Sequence, residues 1–153
     1  MKPTETAMPA DLKLSEFLCF AVYSSNLAFG KAYKPKLERL GLTYTQYITL
    51  VALWEQDDQT VGSLGEKLFL ESNTLTPILK KLEAMGYVQR QRDPEDERQV
   101  RIRLTASGRQ LRDEGSDVDL FEATGLTAEE FTQVQRAVVK LRDNLIRSLK
   151  DRE

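Results

Sequence analysis

Leu14, Phe17, Leu18, Ala21, Val22, Ala28, Phe29 and Ala32 recur at three- and four-residue steps, the spacing of one face of an α-helix. A first helix is therefore expected from Leu12, stopped or bent at Pro35, whose ring blocks the preceding turn. Gly41 marks a turn. A second helix is expected from about Thr45 to Glu55, with Thr45 as its cap and Tyr47, Ile48, Leu50, Val51 and Trp54 as its apolar face. The polar run Gln56–Thr60 predicts a loop, and a short helix follows with Val61, Leu64 and Leu68. Ser72 is the expected cap of the next helix, whose stripe is Leu75, Ile78, Leu79, Leu82 and Met85. Gly86 closes it as a C-cap does. Pro77 lies inside that helix, beyond the first turn where proline costs little.

The period then changes. Val100, Ile102 and Leu104 alternate with Arg101 and Arg103, which predicts a strand with one wet face. Tyr87–Arg92 is its expected partner. The connection Asp93–Gln99 is too long for a two-residue turn and is highly charged, so it should project into solvent as a flap. After Thr105 helix returns, with Leu111 as an apolar anchor, and Gly115–Gly125 predicts a loose connection. Thr127 with Glu130 forms a capping box for a last helix. On it Phe131, Val134, Val138, Leu141, Leu145 and Leu149 make one stripe, which either packs on the first helix or pairs with a second copy.

These elements predict a mainly α chain with a small β-hairpin wing, the order of a winged helix-turn-helix. The expected organisation is an arm over 1–11, an N-terminal helical region over 12–44, a winged lobe over 45–105 and C-terminal helices over 106–153.

Composition narrows the chemistry. The 153 residues hold 22 Lys+Arg against 24 Asp+Glu, a net charge of −2. That balance argues against indiscriminate nucleic-acid coating but leaves room for a local basic face. The absence of His excludes His-based triads and most catalytic zinc sites, and the single Cys excludes a disulfide framework. No apolar run is long enough for a membrane span, and Met1–Asp11 lacks the pattern of an export signal, so a cytoplasmic protein is expected. No cofactor or metal is implied.

Two constellations remain. Ser72, Asn73, Thr74 and Thr76 are small hydrogen-bonding residues at the start of the expected reading helix, and Lys80 and Lys81 can neutralise phosphates. The bland alternative is an amphipathic helix with a solvated lysine pair. In the flap, Arg90, Arg92 and Arg101 flank an acidic tip containing Arg98, which can enter an A·T-rich minor groove while Asp96 braces its guanidinium. The bland alternative is a charged surface turn.

The run Leu75-Thr76-Pro77-Ile78-Leu79-Lys80-Lys81-Leu82-Glu83, with Asp96-Glu97-Arg98 before a Val-x-Ile-x-Leu-Thr strand, resembles the MarR family of winged-helix transcription regulators. The family tolerates proline inside this helix. The resemblance implies a homodimer joined by its first and last helices, with two reading helices on double-stranded, pseudo-palindromic operator DNA.

Cys19 lies in Leu18-Cys19-Phe20-Ala21-Val22-Tyr23. A lone helical Cys is most often a small core residue. Tyrosine hydroxyls are donors able to hold a thiolate, but Tyr33 stands about 21 Å from Cys19 along a straight helix. Antiparallel first helices in a two-fold dimer would bring one copy's tyrosines to the other's Cys. The segment resembles the organic-hydroperoxide-sensing, one-Cys branch of the family, whose reactive Cys is held by the partner's tyrosines. Cys19, Tyr23, Tyr33 and Tyr44 fall on those positions, and Ser116–Leu126 carries no resolving Cys.

The resemblance implies a repressor that binds DNA when reduced. It releases DNA after organic hydroperoxide oxidises Cys19 and a low-molecular-weight thiol reacts with the product. A repressor released by a small aromatic ligand, and a thiol peroxidase, are the rival expectations.

Overall fold

The computed structural model describes residues 12–115 and 120–152. The arm expected over 1–11 lies outside the described residues, as do 116–119 of the expected loose connection. The chain forms two compact units, one through Glu114 and one from Gly115.

In the first unit, a 3-10 turn at Leu14–Glu16 precedes α1, which spans Leu18–Leu40. The helix thus starts later than expected, because Phe17 is extended and donates its N–H back to Leu14. The i, i+3 spacing of Leu14 and Phe17 serves a 3-10 turn as well as an α-turn. The expected stop at Pro35 is also corrected. Proline lacks only the N–H that would bond the Lys31 carbonyl, and beyond it Leu37 and Leu40 are buried. That burial holds the last turns until Gly41, at φ 70°, closes the helix.

Helix α2 spans Tyr44–Glu55. Its cap is Thr43 rather than Thr45: the Gln46 N–H donates to the Thr43 hydroxyl at 3.2 Å, and the Thr43 N–H to Gln46 Oε1 at 3.0 Å. The expected loop at Gln56–Thr60 contains a two-residue strand, β1 (Gln59–Thr60). Helices α3 (Val61–Leu68) and α4 (Ser72–Ala84) follow. Gly65 is required where they meet, since a Cβ there would sit 2.7 Å from the Leu70 carbonyl oxygen. Strands β2 (Val88–Arg92) and β3 (Val100–Leu104) complete an antiparallel sheet of order β1-β3-β2. Val88 faces Leu104, Arg90 faces Ile102 and Arg92 faces Val100.

The core is built from Leu50 and Leu53 of α2, Leu64 of α3, Leu75, Leu79 and Leu82 of α4, and Val88 and Ile102 of the sheet, all fully buried. Helix α5 (Ala106–Gly115) joins this lobe: Leu111 is buried, and Trp54 Nε1 donates to the Gly108 carbonyl at 2.9 Å. The compact unit therefore runs past the boundary expected at 105.

In the second unit a 3-10 turn at Glu122–Thr124 leads to α6 (Ala128–Lys150). The Thr127–Glu130 capping box forms as expected. Phe131 packs edge-on against Phe121, with centroids 5.2 Å apart. No residue of α6 is buried in the single chain, and Val134, Val138, Leu145 and Leu149 are exposed.

Candidate functional site

Helix α4 keeps its core stripe on one face and its polar residues on the other. Ser72, Asn73 and Thr74 are exposed in the first turn, as are Lys80 and Lys81 further along. Ser72 is the first helical residue and not the cap. Glu71 occupies the cap position and makes no side-chain capping bond. The leading N–H groups of α4 therefore lack a side-chain partner, an arrangement suited to a phosphate oxygen. Thr76 is half-buried, and its hydroxyl donates to the Ser72 carbonyl at 2.7 Å. Pro77 is accommodated because the bond it forfeits would fall on the carbonyl of Asn73, near the solvated end of the helix.

The flap between β2 and β3 is an ordered tip. The Asp93 N–H donates to the Gln99 carbonyl and the Gln99 N–H to the Asp96 carbonyl, both at 2.9 Å. Asp96 braces Arg98 as expected: Oδ1 accepts from the Arg98 backbone N–H at 3.1 Å and from its Nε at 3.2 Å. The Arg98 side chain is nevertheless 91% exposed. Arg92 Nη1 reaches the Glu97 carbonyl at 3.4 Å.

The other basic residues are differently placed. Arg90 folds toward α4, where Glu83 Oε2 accepts its backbone N–H at 2.9 Å and Glu83 Oε1 lies 3.9 Å from its Nη1. Arg101 is enclosed by carboxylates. Its Nε donates to Asp58 Oδ1 at 2.9 Å and its Nη2 to the Asp58 carbonyl at 3.0 Å. Its Nη1 lies 3.5 Å from Asp93 Oδ2. Arg103 converges on the same Asp58 oxygen at 3.2 Å.

Asp57 and Asp58 are the carboxylates at the base of the wing that the sequence did not reveal. Asp58 adopts φ 57° at the turn into β1. Hydrogen bonds from Arg101, and then from Arg103, hold its carboxyl below the ordinary aspartate value. For Asp57, partial burial alone would raise the pKa. The Leu104 N–H, the Arg109 guanidinium and the Asp58 N–H outweigh that and bring it below the ordinary value. The alternation of Arg101 and Arg103 placed both on one wet face; their partner is remote in the chain and left no local signal.

Cys19 is exposed and is the second residue of α1, not a mid-helix core residue. No side chain caps that helix end, so its leading N–H groups are open to a negatively charged sulfur. Tyr23, one turn on, is exposed. Tyr33 lies far down the same unbroken helix and packs on Tyr44 (centroids 5.4 Å) and Tyr47 (6.2 Å), and Tyr47 packs on Trp54 (6.1 Å). Within one chain the structure thus brings Tyr33 and Tyr44 together, but not to Cys19.

Residues 31–114 match the family model of transcriptional regulators SarA/Rot, more than half of the chain. The chain belongs to the SarA/Rot family of transcriptional regulators. The match spans the helix-turn-helix and wing of this MarR-type fold. The chain is also similar to the organic hydroperoxide resistance transcriptional regulator of Bacillus subtilis (strain 168), 40% identical over 136 residues, covering 88% of this chain and 92% of the relative. Among solved structures, reduced AbfR bound to DNA is 39% identical with a TM-score of 0.75, covering 87% of this chain and 94% of that one. A disulfide-formed AbfR is 40% identical with a TM-score of 0.61, covering 84% and 91%. Among the described residues, no helix is long and apolar enough to cross a membrane.

Proposed function

We propose that this SarA/Rot-family regulator is a homodimeric repressor that binds operator DNA in its reduced state and releases it when organic hydroperoxide oxidises Cys19. The observation that carries the reading is the position of the chain's one cysteine: exposed, in the uncapped first turn of α1, among apolar side chains. The thiolate attacks the peroxide oxygen, giving a sulfenic acid and, after protonation, an alcohol. A low-molecular-weight thiol then condenses with the sulfenic acid, forming a mixed disulfide and releasing water. Exposed Leu18, Phe20 and Val22 beside the sulfur favour an organic hydroperoxide over hydrogen peroxide.

Exposed apolar residues on α1 (Leu18, Val22, Leu27) and on α6 (Val138, Leu145, Leu149) support pairing with a second copy. In such a dimer the partner's Tyr33 and Tyr44 approach Cys19 as thiolate donors, beside the chain's own Tyr23. The exposed start of α4 (Ser72, Asn73, Thr74), with Thr76, Lys80 and Lys81, reads the major groove, and the wing presents Arg98 to the minor groove.

The test is release of DNA after cumene hydroperoxide by wild type, Cys19→Ser, Tyr33→Phe and Tyr44→Phe. Wild type should release, Cys19→Ser should bind yet not respond, and the tyrosine variants should respond more slowly. Release by Cys19→Ser at the wild-type dose overturns the sensor assignment. Sedimentation equilibrium tests the dimer, and a monomer at micromolar concentration refutes it.

A further inference from the structure

We propose that Asp58 is the positioning residue of the wing. By clamping Arg101 and Arg103 of β3 and, through Arg101, Asp93 at the foot of the flap, it sets where Arg98 is presented to DNA. The inference rests on the DNA-binding reading above and deepens it.

Each nitrogen of the Arg101 guanidinium is already engaged: Nε and Nη2 by Asp58 at 2.9 and 3.0 Å, and Nη1 by Asp93 at 3.5 Å. Two carboxylates and a backbone carbonyl thus fix the orientation of this guanidinium before any phosphate approaches. The Arg101 side chain is 32% exposed and that of Asp93 only 13%, so the clamp is partly shielded from solvent, where an ion pair is screened less. Arg101 is therefore a strut, whereas Arg98, braced by Asp96, is the exposed basic group of the tip.

The clamp also ties together segments that are distant in sequence. Asp58 precedes β1, Arg101 and Arg103 lie on the central strand β3, and Asp93 begins the flap. The Asp93 N–H closes the tip on Gln99, and its Oδ1 accepts the Glu95 N–H at 3.0 Å. A carboxylate fixed on the lobe thus holds the foot of a hairpin whose tip carries the DNA-facing arginine. The left-handed backbone of Asp58 is a conformation uncommon for a residue with a Cβ.

Charge gives the proposal a test in which two explanations have opposite signs. Asp58→Asn removes a negative charge from the DNA-binding lobe, and by electrostatics alone this strengthens binding to any duplex. Loss of positioning weakens binding to the preferred duplex only. The probes are a duplex that the wild type selects from a random-sequence pool and a scrambled duplex of equal length, titrated at several salt concentrations. Asp58→Asn and Arg101→Gln should each bind the selected duplex about tenfold more weakly. Their binding to the scrambled duplex should be undiminished and the salt slope unchanged, and the double variant should be no worse than either single one.

Relaxation of the Glu95, Arg98 and Gln99 amides, measured without DNA at a temperature where each protein is fully folded, should show a looser tip in both variants. Undiminished binding of Asp58→Asn to the selected duplex, or a salt slope reduced by about one unit in Arg101→Gln, overturns the proposal. If the wild type selects no duplex at all, the functional reading falls. The tip amides then decide the clamp alone: unchanged relaxation in Asp58→Asn refutes it.

Discussion

Replacing Arg98 with alanine separates DNA reading from folding more sharply than any other single change in the lobe. The side chain is 91% exposed, and its protein partner is the Asp96 carboxylate at 3.2 Å. An ion pair this exposed contributes about 0.2–1 kcal/mol, with the low end expected here. For a chain of this size that moves the melting temperature by roughly 1 °C. Binding is another matter, since a specific groove contact contributes about 1–3 kcal/mol, or roughly 5- to 150-fold in affinity. In the proposed two-fold dimer the contact would be made twice, so the loss would compound to about 2–6 kcal/mol across a whole operator. Asp96→Ala should fall between wild type and Arg98→Ala. It leaves the guanidinium in place but frees a side chain whose immobilisation on binding costs about 0.5–1.5 kcal/mol. The assay is fluorescence anisotropy on the selected duplex at fixed salt, paired with thermal melts. Arg98→Ala binding within twofold of wild type would show that the tip does not touch DNA, and the minor-groove assignment would be lost.

Lys80→Ala should weaken selected and scrambled duplexes alike and lower the salt slope by about one unit, measured by titration at stepped salt. Gly108→Ala should destabilise the lobe by about 1–3 kcal/mol in urea unfolding, because a Cβ there would sit 2.1 Å from the Tyr87 carbonyl oxygen and the packed backbone must move. Its tryptophan emission should shift as well, since Trp54, the chain's one tryptophan, donates to that glycine's carbonyl. The carboxyls of Asp57 and Asp58 titrate below their unfolded value in the folded lobe, so their stabilisation is present above about pH 4 and is lost as the pH falls through their folded values. Denaturant midpoints between pH 5 and 3 should therefore fall less steeply in Asp57→Asn than in wild type.

What was legible in the sequence was what is local. The stripe of Leu75, Leu79 and Leu82, the alternation of Val100, Ile102 and Leu104, and the Thr127–Glu130 box each encode their element within a few residues. They sufficed for the winged lobe and the last helix. What escaped was defined by distant partners. Strand β1 is two residues long and exists as a strand because Gln59 and Thr60 pair with Ile102 and Arg101. The local cost of Pro35 is visible in the sequence, whereas the burial of Leu37 and Leu40 that carries the helix past it is not. Among the site residues, the exposed start of α4 and the Asp96–Arg98 pair were readable. Arg101 reads from the sequence as one of the basic residues flanking the tip, while the carboxylate it meets lies before β1. Cys19 was recognisable as a reactive candidate, but its place in a first turn depended on where α1 begins.

The strand order β1-β3-β2 leaves β2 at the edge of the sheet, where the Glu83 carboxylate takes up the outward backbone N–H of Arg90; an unpaired strand edge is a template on which another chain can add. The proposed dimer on DNA would present two such edges at high local concentration. The residues of β2 after Val88 are Gln89, Arg90, Gln91 and Arg92; Arg90 is occupied with Glu83, and the charge of Arg92 makes edge-to-edge pairing of like strands electrostatically unfavourable. The composition of this strand therefore protects solubility as well as supplying positive charge. Exchanging Arg90 and Arg92 for β-branched apolar residues would preserve the hairpin while converting the wing into a seed for aggregation.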